Sequence, residues 1–560
     1  MKKAEKMSAQ ELYRAGIDWS ARQYTPEIAE ALVRTGDAKW LYAAGKDWPD
    51  KRYIPAIADA LIQTGNAKYL ALAGKDWKKQ RYIPEIAEAL IRTGDAKWLY
   101  AAGKDWPDER YIPAIADALI QTGNAEYLAL TGDWKKRRYI PEIAKALVRT
   151  GDAQWLHYAG WFWPDNRYIP AIADALIQTG NAEYLARAGK DWKKRRYTTK
   201  IAKALIRTGD AQWLYAAGRH WPDERYIPAI ADALIQTGNA EYLARAGADW
   251  KKRRYIPEIA EALIRTGDAR WLYYAGEWWL DDRYTSTIAD ALIQTGNAEY
   301  LARAGADWKK RRYIPEIAEA LIRTGDARWL YYAGWRWPDE RYIPAIANAL
   351  IQTGNAEYLA RAGANWKRQR YSPKIAETLV RAGEAEWLYY AGGSWSDERY
   401  IPAIADALIQ TGNAQYLAQA GRDWEDQRYT PEIAKALIRT GDAQWLCYAG
   451  EEWPDKRYTL AIADALVKTG NSLYLYTAGE KWKDQRYTPK IAKALIRTGD
   501  AVWLYYAGWF WPDDRYISAI AEALLQTGNT EYIEDAIRGW PRERSYTISV
   551  RLAQFPSCVI

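Results

Sequence analysis

Cysteine and histidine are nearly missing from this chain of 560 residues, at two each. Cys447 and Cys558 are too few for a disulfide framework, so nothing ties the fold to an oxidising compartment. Acid–base and nucleophilic catalysis lean on His, Cys or paired carboxylates gathered in a pocket, whereas His157 and His220 fall in different stretches at different helical positions. No catalytic constellation assembles from them. The two His and two Cys lie too far apart for a structural metal site, which wants four ligands together. An enzyme is therefore not expected, nor any cofactor or bound metal. Apolar runs are short, none approaching a membrane span, and the start Met1-Lys2-Lys3-Ala4-Glu5-Lys6 is followed by no apolar core of the secretory kind. A soluble, cytoplasmic protein is expected. Charge is nearly balanced: 79 Lys+Arg against 71 Asp+Glu leave +8, small for this length and no argument in itself for a polyanionic partner.

What fills the chain instead is repetition. Tyr53, Tyr82 and Tyr111 each open the phrase Tyr-Ile-Pro-x-Ile-Ala-x-Ala-Leu-Ile, so the sequence matches itself at a shift of 29 residues. The match improves at 58, because two versions alternate: an A unit such as Tyr82 to Arg110 and a B unit such as Tyr53 to Arg81. Such periods predict a solenoid, in which each unit buries its apolar face only against its neighbours. The array covers residues 24–529 as nine A/B pairs without a linker. Residues 1–23 carry a half-repeat, Glu11 to Trp19, and residues 530–560 decay from the pattern; both are expected to be caps. One deletion at Gly132-Asp133-Trp134 shortens the Tyr111 to Tyr139 spacing to 28 and is expected to fall in a loop.

Within the unit from Tyr82, Pro84 suits the first turn of a helix, and Ile86, Ala87, Leu90 and Ile91 recur at helical spacing. Glu88 and Arg92 fall on the wet side, spaced for an i,i+4 pair. Gly94 is a left-handed cap, and Asp95, or Asn66 in the B unit, caps a second helix over Ala96 to Ala102. Gly103 is expected to close that helix, with Trp106-Pro107 turning the chain back. The Gly-Asp-Ala and Gly-Asn-Ala phrases lack the spacing of phosphate loops and serve as caps. Helices this short need their neighbours for stability. The recurrent Trp and Tyr are read as inter-repeat packing, bulky A faces (Trp98, Leu99, Tyr100) meeting slimmer B faces, with an Arg such as Arg245 over a neighbouring ring.

These helical hairpins resemble the α-solenoid families built from helix pairs, such as the HEAT, tetratricopeptide and leucine-rich-repeat-variant proteins. The likeness covers nearly the whole chain, although the tetratricopeptide period is longer and its signature residues are absent. It implies an all-α right-handed stack of short two-helix hairpins, and a binding or scaffolding role in place of catalysis.

One place breaks the uniformity. The two residues between the second-helix Gly and the following Trp of successive A units read Lys46-Asp47, Lys104-Asp105, Trp161-Phe162, Arg219-His220, Glu277-Trp278, Trp335-Arg336, Gly393-Ser394, Glu451-Glu452 and Trp509-Phe510. A core position does not accept Lys, Trp, Gly and Glu in turn without cavities or buried charge, so the pair must face solvent or a partner. The neighbouring place of Tyr42 also varies, to His157 and Cys447. Drift in unconstrained loops is one reading. The other is modular recognition of a protein or peptide through these eighteen residues, because Trp, Phe and Arg are the side chains of binding hot spots. Two alternatives stay open. Near-identical units suit self-assembly into a filament or sheath. The basic runs Lys135 to Arg138, Lys193 to Arg196, Lys251 to Arg254 and Lys309 to Arg312 suit nucleic acid. Acidic A-unit loops such as Pro222-Asp223-Glu224-Arg225 interrupt those runs and favour cross-repeat ion pairing over a continuous positive track.

Overall fold

The computed structural model describes residues 4–18, 25–77, 82–134, 140–192, 197–250, 255–279, 282–308, 311–366, 371–424, 427–482 and 485–554. All regular structure among them is helical, in hairpins that follow the repeat, as the fold class predicted. The chain divides into two compact units, Met1–Ile288 and Ala289–Ile560.

In the first unit the hairpin from Tyr82 shows how local rules build each brick. Pro84 lies in the first turn of the Ile83–Thr93 helix, and Gly94 ends it at φ 64°, its N–H reaching the Ile91 carbonyl. A left-handed residue without Cβ is what this C-terminus requires. The Thr93 hydroxyl donates to the Leu90 carbonyl at 2.6 Å and accepts from the Asp95 N–H at 3.3 Å. Asp95 in turn accepts from the Trp98 N–H at 3.2 Å, so one three-residue corner stops one helix and starts the next. Ile86, Ala87 and Leu90 are buried as the periodicity predicted, Ile91 is half-buried, and Ile83 and Ala89 are buried as well. The Glu88–Arg92 spacing serves differently from the expectation: the Arg92 Nε–H points to the Glu88 carbonyl at 3.5 Å.

The second helix departs from expectation. It runs Ala96–Asp105, three residues past Ala102, with Gly103 inside it. The reason lies one unit away. The indole of Trp134 lies against Gly103 so closely that a Cβ there would stand 2.1 Å from its Cζ2. Trp106 enters the notch of Gly74 the same way, at 2.0 Å, and its Nε1–H donates to the Ala71 carbonyl at 2.8 Å. Glycine in a helix interior costs about 1 kcal/mol in propensity, and burying an indole repays it severalfold. The helix ends at Asp105, and Trp106 turns extended at φ −69°, ψ 133° ahead of Pro107.

The deletion also lands inside the second helix instead of a loop. Ala125–Leu130 is α-helical and Thr131–Asp133 tightens to a 3-10 turn. A 3-10 turn uses fewer residues, which keeps Gly132 facing Trp163 and leaves the bond from Trp163 Nε1 to the Ala129 carbonyl at 2.6 Å.

The second compact unit repeats the plan. Ile314–Thr324 and Ala327–Arg336 form a hairpin, and Trp337 fills the notch of Gly305, its Nε1 bonded to the Ala302 carbonyl at 2.7 Å. The helix Arg542–Gln554 lies against Ile517–Gln526. Arg544 ties them down, donating to Asp514 at 2.6 Å and to the Trp511 carbonyl at 2.7 Å.

Candidate functional site

The same Gly–Trp contact positions the varied pairs. Because the second helix continues through its Gly, the pair forms its last two residues in every A unit: Lys46-Asp47, Lys104-Asp105, Trp161-Phe162, Arg219-His220, Glu277-Trp278, Trp335-Arg336, Gly393-Ser394, Glu451-Glu452 and Trp509-Phe510. They are helix-terminal, not loop residues. All are exposed except Glu451, which is half-buried, while the Trp that follows each pair is buried.

The pairs fall into two chemical sorts. Three of the polar ones bond across repeats. Lys46 lies 3.4 Å from Asp76, Lys104 3.4 Å from Asp133, and Arg219 3.1 Å from Asp249. Asp47 accepts from the Tyr13 hydroxyl at 2.8 Å, and Asp105 pairs with Lys75 at 2.9 Å. The aromatic ones project into solvent: Trp161 and Phe162 are 47% and 51% exposed, Trp335 51%, Phe510 50%. Trp278 and Trp509 are less so, each resting on a ring of its own helix, Tyr274 at 4.7 Å and Tyr505 at 5.6 Å.

Beneath the pairs runs a cross-repeat bond that the sequence reading missed. Tyr42 donates its hydroxyl to Asp76, Tyr215 to Asp249, and Tyr389 to Asp423 at 2.6 Å. Burial first, then the aspartate, pushes the Tyr389 phenol up to about 12. The spacing of 34 residues is the only signal a sequence offers for it. Where Tyr becomes His157, the imidazole Nε2 stands 3.3 Å from Asp191, and burial holds its pKa below the ordinary value against the pull of Asp191. Where Tyr becomes Cys447, burial pushes the thiol up to about 12, which makes it inert at neutral pH.

The ion-pairing expectation is met in part. A-unit loop carboxylates are held mainly within their own loops, Asp223 by Arg225 and Asp108 by Arg110, at 2.7 and 2.6 Å. Arg428 to Glu398, at 3.3 Å, is a pair of the expected cross-repeat kind. The basic runs 135–138, 193–196 and 251–254 lie outside the described residues, as do Lys309 and Lys310. Arg245 lies over Tyr242 of its own helix at 5.8 Å, not over a ring of the facing repeat. Large meets small at the Gly–Trp contact of both unit types, whereas the A-unit Tyr42 meets the B-unit Tyr69, ring on ring, at 5.8 Å. Among the described residues no three His, Cys, Asp or Glu gather as a metal site, and no helix is long and apolar enough to cross a membrane.

Fold and packing together define an α-solenoid of short two-helix hairpins. No protein-family model and no curated protein matches the chain. Among solved structures it is similar to a circular tandem repeat protein with a novel repeat topology, at 13% identity, covering 100% of this chain and 95% of that one, TM-score 0.09. It is also similar to the UNC-45 chaperone, described as binding and folding muscle myosin, at 10% identity over 100% and 78% of the two chains, TM-score 0.17. Importin 13 in its cytosolic state aligns at 11% identity over 98% and 85%, TM-score 0.22.

Proposed function

We propose that the protein is a non-enzymatic repeat scaffold that binds a protein or peptide partner through the varied pairs displayed once per A unit. The observation that carries this reading is the contrast at the end of the second helix. A buried, hydrogen-bonded Trp is preceded by two residues that range from Gly-Ser to Trp-Phe, all of them exposed but the half-buried Glu451. Exposed Trp and Phe cost solubility and are enriched where partners dock. Lys46, Asp47, Lys104, Asp105 and Arg219 are engaged in cross-repeat bonds, so the aromatic pairs Trp161-Phe162, Glu277-Trp278, Trp335-Arg336 and Trp509-Phe510 carry most of the recognition. The Gly–Trp notches give these side chains a rigid footing, which lowers the entropy lost on binding.

The test uses peptide ligands selected from a displayed library on the immobilised full-length protein. Replacing both Trp161 and Phe162 by Ser is expected to leave the melting temperature within about 1 °C, because neither side chain is buried. The same change is expected to weaken ligands selected on that region at least tenfold, a threshold of about 1.4 kcal/mol. Equal affinity after substitution would remove the reading.

A further inference from the structure

In four A units the Trp near the start of the second helix is covered by the cation that precedes it in the chain. Lys39 stands over Trp40 at 4.7 Å, Lys97 over Trp98 at 5.4 Å, Arg270 over Trp271 at 5.1 Å and Arg328 over Trp329 at 5.0 Å. A second cation comes from the preceding B unit. Arg303 reaches Trp329 at 5.9 Å and Arg361 reaches Trp387 at 5.7 Å. These two arginines also hold a carboxylate of their own helix, Glu299 at 2.7 Å and Glu357 at 2.9 Å. The gap between that carboxylate and the next Trp ring is therefore one guanidinium wide.

At Trp155 both sources are missing. The residue before it is Gln154, and the place of Arg303 in the preceding B unit is taken by Leu130. The carboxylate is kept, as Glu126. Among the described residues no cation stands over Trp155, Tyr158 or Phe162, and none pairs with Glu126. The bare rings run on without a break: Trp155 to Tyr158 at 5.6 Å, Tyr158 to Phe162 at 4.4 Å, and Phe162 to Trp161 at 4.5 Å. The other A units that lack a Lys or Arg before the Trp differ: Trp387 is reached by Arg361, and the carboxylate ahead of Trp213, Glu183, is held by Arg187 at 2.7 Å. At Trp445 the carboxylate is replaced by Gln415, and at Trp503 the ring is stacked by Tyr476 at 5.2 Å.

We propose that the bay between Glu126 and Trp155 receives an arginine side chain of a basic partner peptide, seated where Arg303 sits in its own repeat. A guanidinium there stacks on the indole and donates to the carboxylate, the two contacts that Arg303 makes. The ring ladder from Tyr158 to Trp161-Phe162 extends the surface along the helix toward the varied pair. This deepens the scaffold reading and rests on it.

The experiment measures fluorescence anisotropy of the full-length protein with three labelled probes of equal length: alternating Gly and Arg, Gly and citrulline, and Gly and Glu. The Arg probe is expected to bind, and the citrulline and Glu probes to bind at least tenfold more weakly. Leu130→Arg, which supplies the chain's own guanidinium, is expected to weaken the Arg probe about tenfold. Glu126→Gln tests the other wall and is expected to do the same without adding bulk. Equal binding of the Arg and citrulline probes, or unchanged Arg binding in both variants, overturns the proposal. Should the variants leave the Arg probe untouched while Trp161→Ser with Phe162→Ser abolishes the selected peptides, the bay is wrong and the scaffold reading stands. The reverse pattern keeps the bay and the peptide-binding scaffold but takes the varied pair out of recognition.

Discussion

Gly189→Ala turns the Gly–Trp contact into a test of sign. Gly189 lies inside the Ala182–Asp191 helix, where an ordinary Gly→Ala change adds about 1 kcal/mol of stability through helix propensity. Here the added methyl meets Trp221, which is 6% exposed, with its Cζ2 2.0 Å and its Cε2 2.1 Å from the new Cβ. Normal carbon contacts are about 3.5 Å or more, so the indole must move by well over 1 Å. Such a shift breaks the bond from Trp221 Nε1 to the Ala186 carbonyl, 2.8 Å long and buried, costing about 1 kcal/mol. It also opens a void in place of the ring contacts; complete expulsion of a Trp costs about 3–5 kcal/mol. Partial displacement then costs about 2–4 kcal/mol, less the propensity gain, for a net loss of about 1–3 kcal/mol.

Repeat arrays do not unfold as one unit, so the assay is hydrogen exchange read at the amides of Ala182–Asp191 and around Trp221. Gly180→Ala is the control: its φ is 64° with nothing within 4 Å of a Cβ, so it costs only the left-handed penalty of about 1–2 kcal/mol. Gly189→Ala combined with Trp221→Ala is expected to cost less than the sum of the two single changes, since the methyl then enters the vacated space. Faster exchange at both elements in Gly189→Ala alone supports the interlock. Slower exchange there, the result for an ordinary helix-interior glycine, would refute it.

Two further outcomes follow from buried groups at the Tyr42 position. His157 has its pKa lowered by burial, so the unfolded chain binds its proton more readily than the folded one. Its effect on stability is absent above the unfolded value of about 6.5 and becomes a loss as pH falls below it, levelling off beneath the folded pKa. Hydrogen exchange around Ala153–Phe162 is therefore expected to quicken on acidification beyond the intrinsic rate change, and His157→Tyr to remove that excess; an unchanged pH dependence would contradict the burial argument. Cys447, with its thiol pushed up to about 12, is expected to resist iodoacetamide at pH 8 in the folded protein and to react in denaturant, read by mass spectrometry; equal rates would show the thiol to be accessible.

Much of the fold was legible because its rules are local. Pro84, Gly94 and Asp95 act on residues within one turn, and the Ile86 to Leu90 stripe needs only its own period. The end of the second helix was not legible, because Gly103 answers to Trp134, a residue of the next unit. Read alone, a Gly after an Ala-rich run signals a stop. Its fixed place three residues before a Trp, as in Gly74-Lys75-Asp76-Trp77, was the overlooked sign. Exposure of the varied pairs was legible from the range of side chains, since no packed site takes both Gly393 and Trp335. Their placement on a helix end was not, because it depends on the same remote tryptophan. The bay at Glu126 emerges only when one repeat is set against another in three dimensions, where Arg303 joins Glu299 to Trp329.

The most direct measurement compares the native protein with a variant in which every varied pair is reset to Lys-Asp, titrating both calorimetrically with peptides selected on the native protein. Side chains presented on a constant scaffold predict unchanged helical circular dichroism together with loss of measurable heat. Retained binding at native affinity would contradict the account, since recognition would then reside in the repeated residues.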